Sequence, residues 1–376
     1  MSSVSRDPRQ RYWVQSTKKE LEGKLGTTFS LSNGLLGIRG VHEECPEWGR
    51  PEFYVAGTYA AGPPDLLGFH DPDHILSHPD RITEDALTSL DDYAIQTLPN
   101  LPFPLGLKIT VDGREFSFED HKILSAERLL EIDNATLRRT LVFRDEGNRR
   151  TRVDSCRLVS MADPNLICLR ATVRRLNHTA PIELQGFLHE GTSNTNGVPL
   201  WTPGERLQES SGRALECVTR GSNISVAIAQ CERVVNTDEE IAIEIFAIAG
   251  VMPLAEAWRR VNQAAGKGFE VCAAAHRESY HYEARAGRVE FDGNPATVQG
   301  FNFGQMHLHM GLGPTAEYSG LPIKGLTGHG YRFLTFWDMD FHMFPFYLMT
   351  KPYRARKLLE YRYRQLPQYR ENAKSW

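Results

Sequence analysis

The sequence is short of cysteine, and the six it has lie far apart at Cys45, Cys156, Cys168, Cys217, Cys231 and Cys272. None belongs to a C-x-x-C pair or a Cys/His cluster, which argues against a zinc site and against a disulfide framework. No apolar run approaches the length needed to span a bilayer. The opening stretch from Met1 to Lys24 is polar and charged, without the apolar core of a signal peptide. Reduced thiols and the missing leader lead to the expectation of a cytoplasmic protein. Charge of one sign is lacking too: 43 Lys and Arg against 47 Asp and Glu leave a formal net charge of −4. That balance creates no field to steer the chain toward nucleic acid or an anionic membrane, and neither partner is expected. Gly325, Gly328 and Gly330 are not followed by the Lys-Ser/Thr of a phosphate-binding Walker loop. No metal or organic cofactor is implied, and no internal repeat is present.

What is there looks globular. A hydrophobic share of 41% and a charged share of 24% are ordinary for soluble domains, and 376 residues allow two or three of them. The first two thirds read as strands. Leu107–Val111 alternates, Asp112-Gly113 follows, and Arg114–Phe118 alternates again; a two-residue Asp-Gly link between alternating runs is a strong hairpin signal, because both residues tolerate positive φ. Leu137–Phe143 and Arg150–Met161 pair in the same way across Glu146-Gly147-Asn148. Leu166–Arg174, Ile182–Leu188, Asn223–Gln230 and Ile241–Ile248 repeat the pattern, the last with Ile241, Ile243 and Ile245 on one face. Many strands separated by turn signals predict a large antiparallel β-sandwich.

Near residue 250 the period changes. Pro253 suits a helix N-terminus, and Leu254, Ala257, Trp258 and Val261 recur at helical spacing. A second helix is predicted from Phe269 to about Ala284, with Phe269, Cys272, His276 and Tyr280 on one side. Asn302–Met310 opens a further helical region, and Leu358, Leu359, Tyr363 and Leu366 make an apolar stripe in a basic sequence, an amphipathic helix with a solvated face rather than a nucleic-acid patch. The expected organisation is a sandwich over 1–250, a helical linker over 251–294 and a helical domain over 295–376.

Three stretches carry more specific information. The first is Phe29-Ser30-Leu31-Ser32-Asn33-Gly34-Leu35-Leu36-Gly37-Ile38-Arg39-Gly40, followed by Glu43 or Glu44 and by Tyr54-Val55-Ala56-Gly57-Thr58-Tyr59. Gly34, Gly37 and Gly40 are placed for turns or close backbone approach. The second comprises His276 and Tyr280, with Gln299 and His307-Leu308 beyond them. The third runs from Lys324-Gly325-Leu326-Thr327-Gly328-His329-Gly330-Tyr331-Arg332 to Phe336-Trp337-Asp338, then through Pro345, Pro352, Ala355-Arg356 and Tyr361-Arg362-Tyr363 to Glu371-Asn372-Ala373-Lys374. In this order they resemble glycoside hydrolase family 65, the α-glucoside phosphorylases and their hydrolase relatives. The resemblance implies a multidomain β + α chain: a large antiparallel β-sandwich, a helical linker, and the first part of an (α/α)6 barrel. The pattern departs from the family at Phe333-Leu334, where Gly-His is common, and at Met339-Asp340, where Thr-Glu is usual.

The same resemblance implies inverting cleavage of an α-glucosidic disaccharide, with inorganic phosphate as a possible co-substrate. A glutamic acid protonates the departing oxygen, and phosphate or water attacks from the opposite face. Trp337 and Asp338 are the substrate-binding candidates, an apolar face for the pyranose and an acceptor for its hydroxyls. Without the flanking motif, Trp337 would read as core and Asp338 as a helix cap. Asp340 is expected to be structural, since residues two apart on a helix do not face each other; His329 and His342 are given no role, and Arg39 and Glu43 are expected to pair inside the sandwich. No catalytic residue is assigned: the sequence stops at Trp376, before the family's acid glutamate and phosphate loops, so these residues are expected to hold a sugar without cleaving it. The alternative is a non-catalytic carbohydrate-binding remnant, or one half of a split enzyme needing a complementing chain. Leu358, Leu359 and Leu366, left without partners, would favour a homo-oligomer.

Overall fold

The computed structural model describes residues 7–62, 95–194, 197–236, 240–313, 316–328 and 330–374. Strands come first: β1 (Arg11–Gln15), then the short β2 (Leu31–Ser32), β3 (Leu36–Ile38), β4 (Phe53–Val55), β5 (Ala60–Gly62) and β6 (Ile95–Thr97). Longer ones follow as β7 (Phe103–Val111), the two-residue β8 (Arg114–Glu115), β9 (Lys122–Glu131), β10 (Thr136–Arg144), β11 (Arg150–Val159) and β12 (Leu166–Arg175). The series closes with β13 (Ile182–His189), β14 (Trp201–Glu209), β15 (Gly212–Thr219), β16 (Ser225–Asn236) and β17 (Ile241–Gly250). One antiparallel sheet holds nine of them in the order β1-β9-β10-β11-β12-β17-β16-β15-β14. The Asp112-Gly113 hairpin joins β7 to β8 with both φ angles positive, 53° and 76°, as a two-residue turn of the primed type requires. Pro203 and a register break before Arg206 blunt the outer strand β14.

Two cores lie on opposite faces of the large sheet. On one face Leu141, Val153, Leu169, Ile243 and Ile245 meet Leu105, Leu107 and Ile109 of β7, Ile182 and Leu184 of β13, and Leu36 and Phe53 of the β2-β3-β4 sheet. This is the expected sandwich. On the other face Leu158, Cys168, Phe246 and Ile248 are covered by Leu254, Ala257 and Val261 of helix α2 (Leu254–Lys267) and by Phe269 and Cys272 of helix α3 (Phe269–Arg285). (Helix α1, Glu22–Thr28, precedes β2.) The helices expected as a linker are therefore also a layer of the β domain, which is why β17 is buried on both sides although its sequence alternates. His276 and Tyr280 pin α3 to the β9–β10 turn: His276 Nε2 lies 2.8 Å from the Asn134 carbonyl oxygen, and the Tyr280 hydroxyl donates to Ile132 O at 2.9 Å. Burial pushes the His276 imidazole down to about 4, so it packs neutral.

Beyond α3 come α4 (Pro295–Gly311), the single turn α5 (Ala316–Ser319), a wide π-turn at Met339–Met343, α6 (Phe344–Thr350) and α7 (Pro352–Lys374). Asn294 caps α4 through a side-chain bond to Ala296 N at 2.9 Å. The Asn302 amide donates to Arg9 O at 2.9 Å, tying α4 to the chain just before β1. Leu312, Leu321, Met339, Tyr347, Ala355 and Leu358 form a small core of their own. The apolar stripe predicted for α7 divides here: Leu358 is fully buried beside Ala355, whereas Leu359 and Tyr363 are exposed. Two apolar rows run along the helix, and the inward one is the row that continues through Ala355.

Candidate functional site

Trp337 and Asp338 sit where the chain turns from the Gly330–Phe333 3-10 turn into the π-turn. The indole is not core: 59% of Trp337 is exposed, with the rings of Phe341 and His342 at 5.9 and 5.2 Å. Asp338 is half-buried and occupies the cap position of the π-turn, yet its side chain makes no capping hydrogen bond. Neither ordinary explanation for a Trp-Asp pair, packing or capping, is fulfilled. The neighbouring carboxylate behaves differently. Asp340 receives Arg362 Nε at 3.1 Å and Nη2 at 2.6 Å, and the same guanidinium donates to Phe336 O at 2.9 Å and to the Tyr369 hydroxyl at 2.9 Å. Arg362 thus clamps the segment from behind, on both sides of Trp337-Asp338. This contact spans 22 residues and depends on α7 folding back, so the spacing of the sequence does not signal it.

A second clamp holds the start of α7. Glu283 of α3 pairs with Lys351 at 2.7 Å and with Arg354 at 2.9 Å, and Lys351 Nζ reaches His309 Nδ1 of α4 at 3.1 Å. Burial lowers both the Lys351 ammonium and the His309 imidazole, the latter to about 4, so a neutral His309 can accept from the lysine. Arg39 and Glu43 do lie inside the sandwich: Arg39 Nη1 is 2.8 Å from Glu52, and Glu43 meets Arg157 Nε at 2.8 Å and also Arg139. His329 lies outside the described residues. Among the described residues, no group of three or more His, Cys, Asp or Glu side chains is placed to hold a metal ion.

Phe333 was not legible as an anchor. Its ring is buried in the sandwich core, 4.4 Å from that of Tyr54 in β4, while its backbone takes a φ of 61°. For a bulky residue a left-handed conformation costs roughly 1–2 kcal/mol, and the buried ring offsets it. Phe333→Gly removes ring and strain together; Phe333→Ala removes only the ring. We expect the glycine variant to be more stable than the alanine variant by about 1 kcal/mol in urea unfolding, the reverse of their order in a helix or strand. An alanine variant equal to or better than the glycine variant would show that the left-handed turn relaxes.

Residues 14–249 match the model of the glycosyl hydrolase family 65 N-terminal domain, and residues 302–376 match that of the family's central catalytic domain. A kojibiose phosphorylase of Caldanaerobacter subterraneus is 23% identical over 94% of this chain and 48% of its own length. An alpha,alpha-trehalose phosphorylase of Thermoanaerobacter brockii is 27% identical over 93% of the chain and 48% of its own. The solved structure of a candidate kojibiose phosphorylase from the human microbiome superposes with a TM-score of 0.76 at 16% identity, covering 94% of this chain and 48% of that one. The fold is shared, and the chain spans about half the length of these relatives.

Proposed function

The chain belongs to glycosyl hydrolase family 65, and on that premise we propose that Trp337 and Asp338 hold the glucosyl unit of an α-glucosidic disaccharide. The pattern of carboxylate pairing carries the reading. Residues 316–374 contain five carboxylates, of which Glu317, Asp340, Glu360 and Glu371 are ion-paired with Lys357, Arg362, Arg356 and Lys374. Asp338 has no such partner among the described residues and stands beside an exposed indole. An ionised carboxylate left open in this way accepts two sugar hydroxyls in a charge-assisted, bidentate fashion, and the indole covers the C–H face of the ring. In the whole protein the reaction we propose is inverting cleavage, an acid protonating the leaving oxygen while phosphate or water attacks opposite. Asp340 is not that acid, because Arg362 occupies both of its oxygens.

The test is calorimetric titration with maltose, trehalose, kojibiose and nigerose. Hydrogen bonds to a charged group are worth about 1.5–3 kcal/mol, so Asp338→Asn should weaken binding of the preferred sugar roughly 10- to 100-fold, and Trp337→Ala comparably. Unchanged affinity in both variants would refute the assignment.

Trp337, Phe341, Leu348, Met349, Leu359 and Tyr363 are all exposed, and this favours a second reading of the same region, as a surface completed by further helical polypeptide or by a second copy. Sedimentation of the 376-residue chain should reveal self-association; a monodisperse monomer that resists aggregation on heating would count against it. A division at residues 250 and 294 and a cytoplasmic location, suited to six unbridged cysteines, belong to the same proposal.

A further inference from the structure

A cleft of about 520 Å³ lies between the β domain and the helices, and neither Trp337 nor Asp338 lines it. Its size falls within the range of small-ligand pockets. Apolar walls come from Phe303 and Met310 of α4, Leu321, and Met343 of the π-turn. Its polar groups have an unusual bias. The hydroxyls of Thr27, Thr28, Thr327 and Tyr347 each spend their proton on a backbone carbonyl, those of Gly23, Lys24, Lys324 and Leu308. What they can offer a ligand is therefore lone pairs.

His307 projects among them. Its ring packs edge-on to Phe303 at 4.5 Å, and it has no hydrogen-bond partner among the described residues. Burial lowers this imidazole to about 4, so near neutral pH it presents one N–H donor and one bare nitrogen acceptor. The cation at the rim, Lys324, is exposed and lies over the Tyr331 ring at 5.1 Å. An acceptor-rich, apolar-walled cleft with a neutral imidazole suits a ligand that brings many O–H donors on a compact ring and no charge. A carboxylate or phosphate would face the lone pairs of these four hydroxyls, the donors left to it being Lys324 at the rim, the His307 N–H and the hydroxyl of Ser32, which accepts from Gly34 N at 3.1 Å and keeps its own proton.

We infer that this cleft is a second binding site, separate from the Trp337–Asp338 pair, for a small uncharged hydroxylated ring, a monosaccharide or a cyclitol. The inference does not rest on the sugar role of Trp337 and Asp338.

The experiment follows carbethoxylation of His307 by diethyl pyrocarbonate with peptide mass spectrometry, on the whole chain, with D-glucose, myo-inositol, acyclic sorbitol and glucose 6-phosphate as probes. The obstructing variant is Gly304→Leu, since Gly304 lines the cleft and a Cβ there meets nothing within 4 Å; leucine also suits a helix better than glycine. Glucose or myo-inositol should slow modification of His307 at least about tenfold, the scale of one or two hydrogen bonds, in the wild type and equally in Trp337→Ala. Gly304→Leu should abolish the protection. Which ring protects better tells a pyranose site from a cyclitol site. No protection by either ring, or stronger protection by glucose 6-phosphate or sorbitol, overturns the proposal. So does protection lost in Trp337→Ala but kept in Gly304→Leu, which would move the binding to the other site.

Discussion

Replacing Arg157 by Met should destabilise the fold by about 3–5 kcal/mol, the loss that follows when one member of a buried ion-pair network is removed. Four carboxylates, Glu22, Glu43, Glu44 and Glu52, and four guanidiniums, Arg39, Arg128, Arg139 and Arg157, are buried together inside the sandwich, with His42 among them. Carboxylates and guanidiniums match in number, burial raises the Glu44 carboxyl to about 7, and the groups are linked across the chain: Glu22 to Arg128, Glu43 to Arg139 and Arg157, Glu44 to Arg139, Glu52 to Arg39. Arg157 in β11 is the most heavily used. It bonds Glu43 through Nε at 2.8 Å, and its Nη atoms donate to Arg39 O at 2.7 Å and Val41 O at 2.6 Å. A methionine fills similar volume but leaves two carbonyls and part of a carboxylate unmet in a dry interior. Adding Glu43→Gln should recover some of the loss, since removing both partners costs less than stranding one. Urea unfolding of both variants measures this; a loss below about 1 kcal/mol for Arg157→Met would mean that water reaches the network.

The same network sets an acid limit. Burial works to raise the Glu22 carboxyl, but His42 and Arg128 beside it outweigh burial and hold it at about 2, against 4.5 when unfolded. A carboxyl lowered on folding stabilises above its unfolded value and loses that contribution as protons bind. Stability from Glu22 should therefore be complete above about pH 4.5 and fade as the pH falls toward 2. Unfolding midpoints measured along that window, compared with Glu22→Gln, should converge at the acid end.

These buried charges also explain what the sequence conceals. The hairpins at Asp112-Gly113 and Glu146-Gly147-Asn148, and the strands near 166–174, 182–188 and 241–248, stand out because apolar residues alternate there; β7, β10 to β13 and β17 cover them. Strand β9 does not stand out. Its stretch Ser125-Ala126-Glu127-Arg128-Leu129-Leu130-Glu131 is rich in helix formers, and the inward side carries Arg128 between Ala126 and Leu130. A charge at a core position hides the period of two, and the distant Glu22 and Gly40 carbonyl make it tolerable. Strand β14 does not stand out for a related reason, since it is largely exposed and has no core face to mark it. At the candidate site the adjacent pair Trp337-Asp338 was legible as a motif. The Arg362 clamp, the Phe333 anchor and the cleft around His307 were not, because each joins segments whose meeting depends on how α4, α7 and the β domain pack.

Where Gly34 meets Gly313, the helical region touches the sandwich backbone on backbone, and Gly34→Ala should break this contact at a cost of about 2–5 kcal/mol, the sum of conformational strain and overpacking. Gly34 and Leu35 form a two-residue hairpin loop between β2 and β3, with Gly34 at a φ of 81°, as a glycine in the first loop position permits. Asn33 fixes the loop: its Oδ1 accepts from Leu35 N at 3.0 Å and Leu36 N at 2.8 Å, and its amide donates to Ser160 O at 2.7 Å and Pro164 O at 2.9 Å. Gly313, just past α4, lies against it so closely that a Cβ on Gly313 would stand 2.5 Å from the Gly34 carbonyl carbon, and a Cβ on Gly34 would overlap the Gly313 amide nitrogen. Neither neighbour can rotate away, because both are main chain. Gly57 supplies the control: its φ is also 81°, but a Cβ there meets nothing within 4 Å. Gly57→Ala should therefore show the conformational cost alone, about 1–2 kcal/mol, and the excess in Gly34→Ala measures the seam. Limited proteolysis adds the structural readout, since a loosened seam should expose the stretch between α4 and the π-turn to cleavage while the sandwich persists. Equal losses for Gly34→Ala and Gly57→Ala, with unchanged cleavage, would mean that the helices are held by side chains such as Phe333 and Asn302 rather than by the glycine contact.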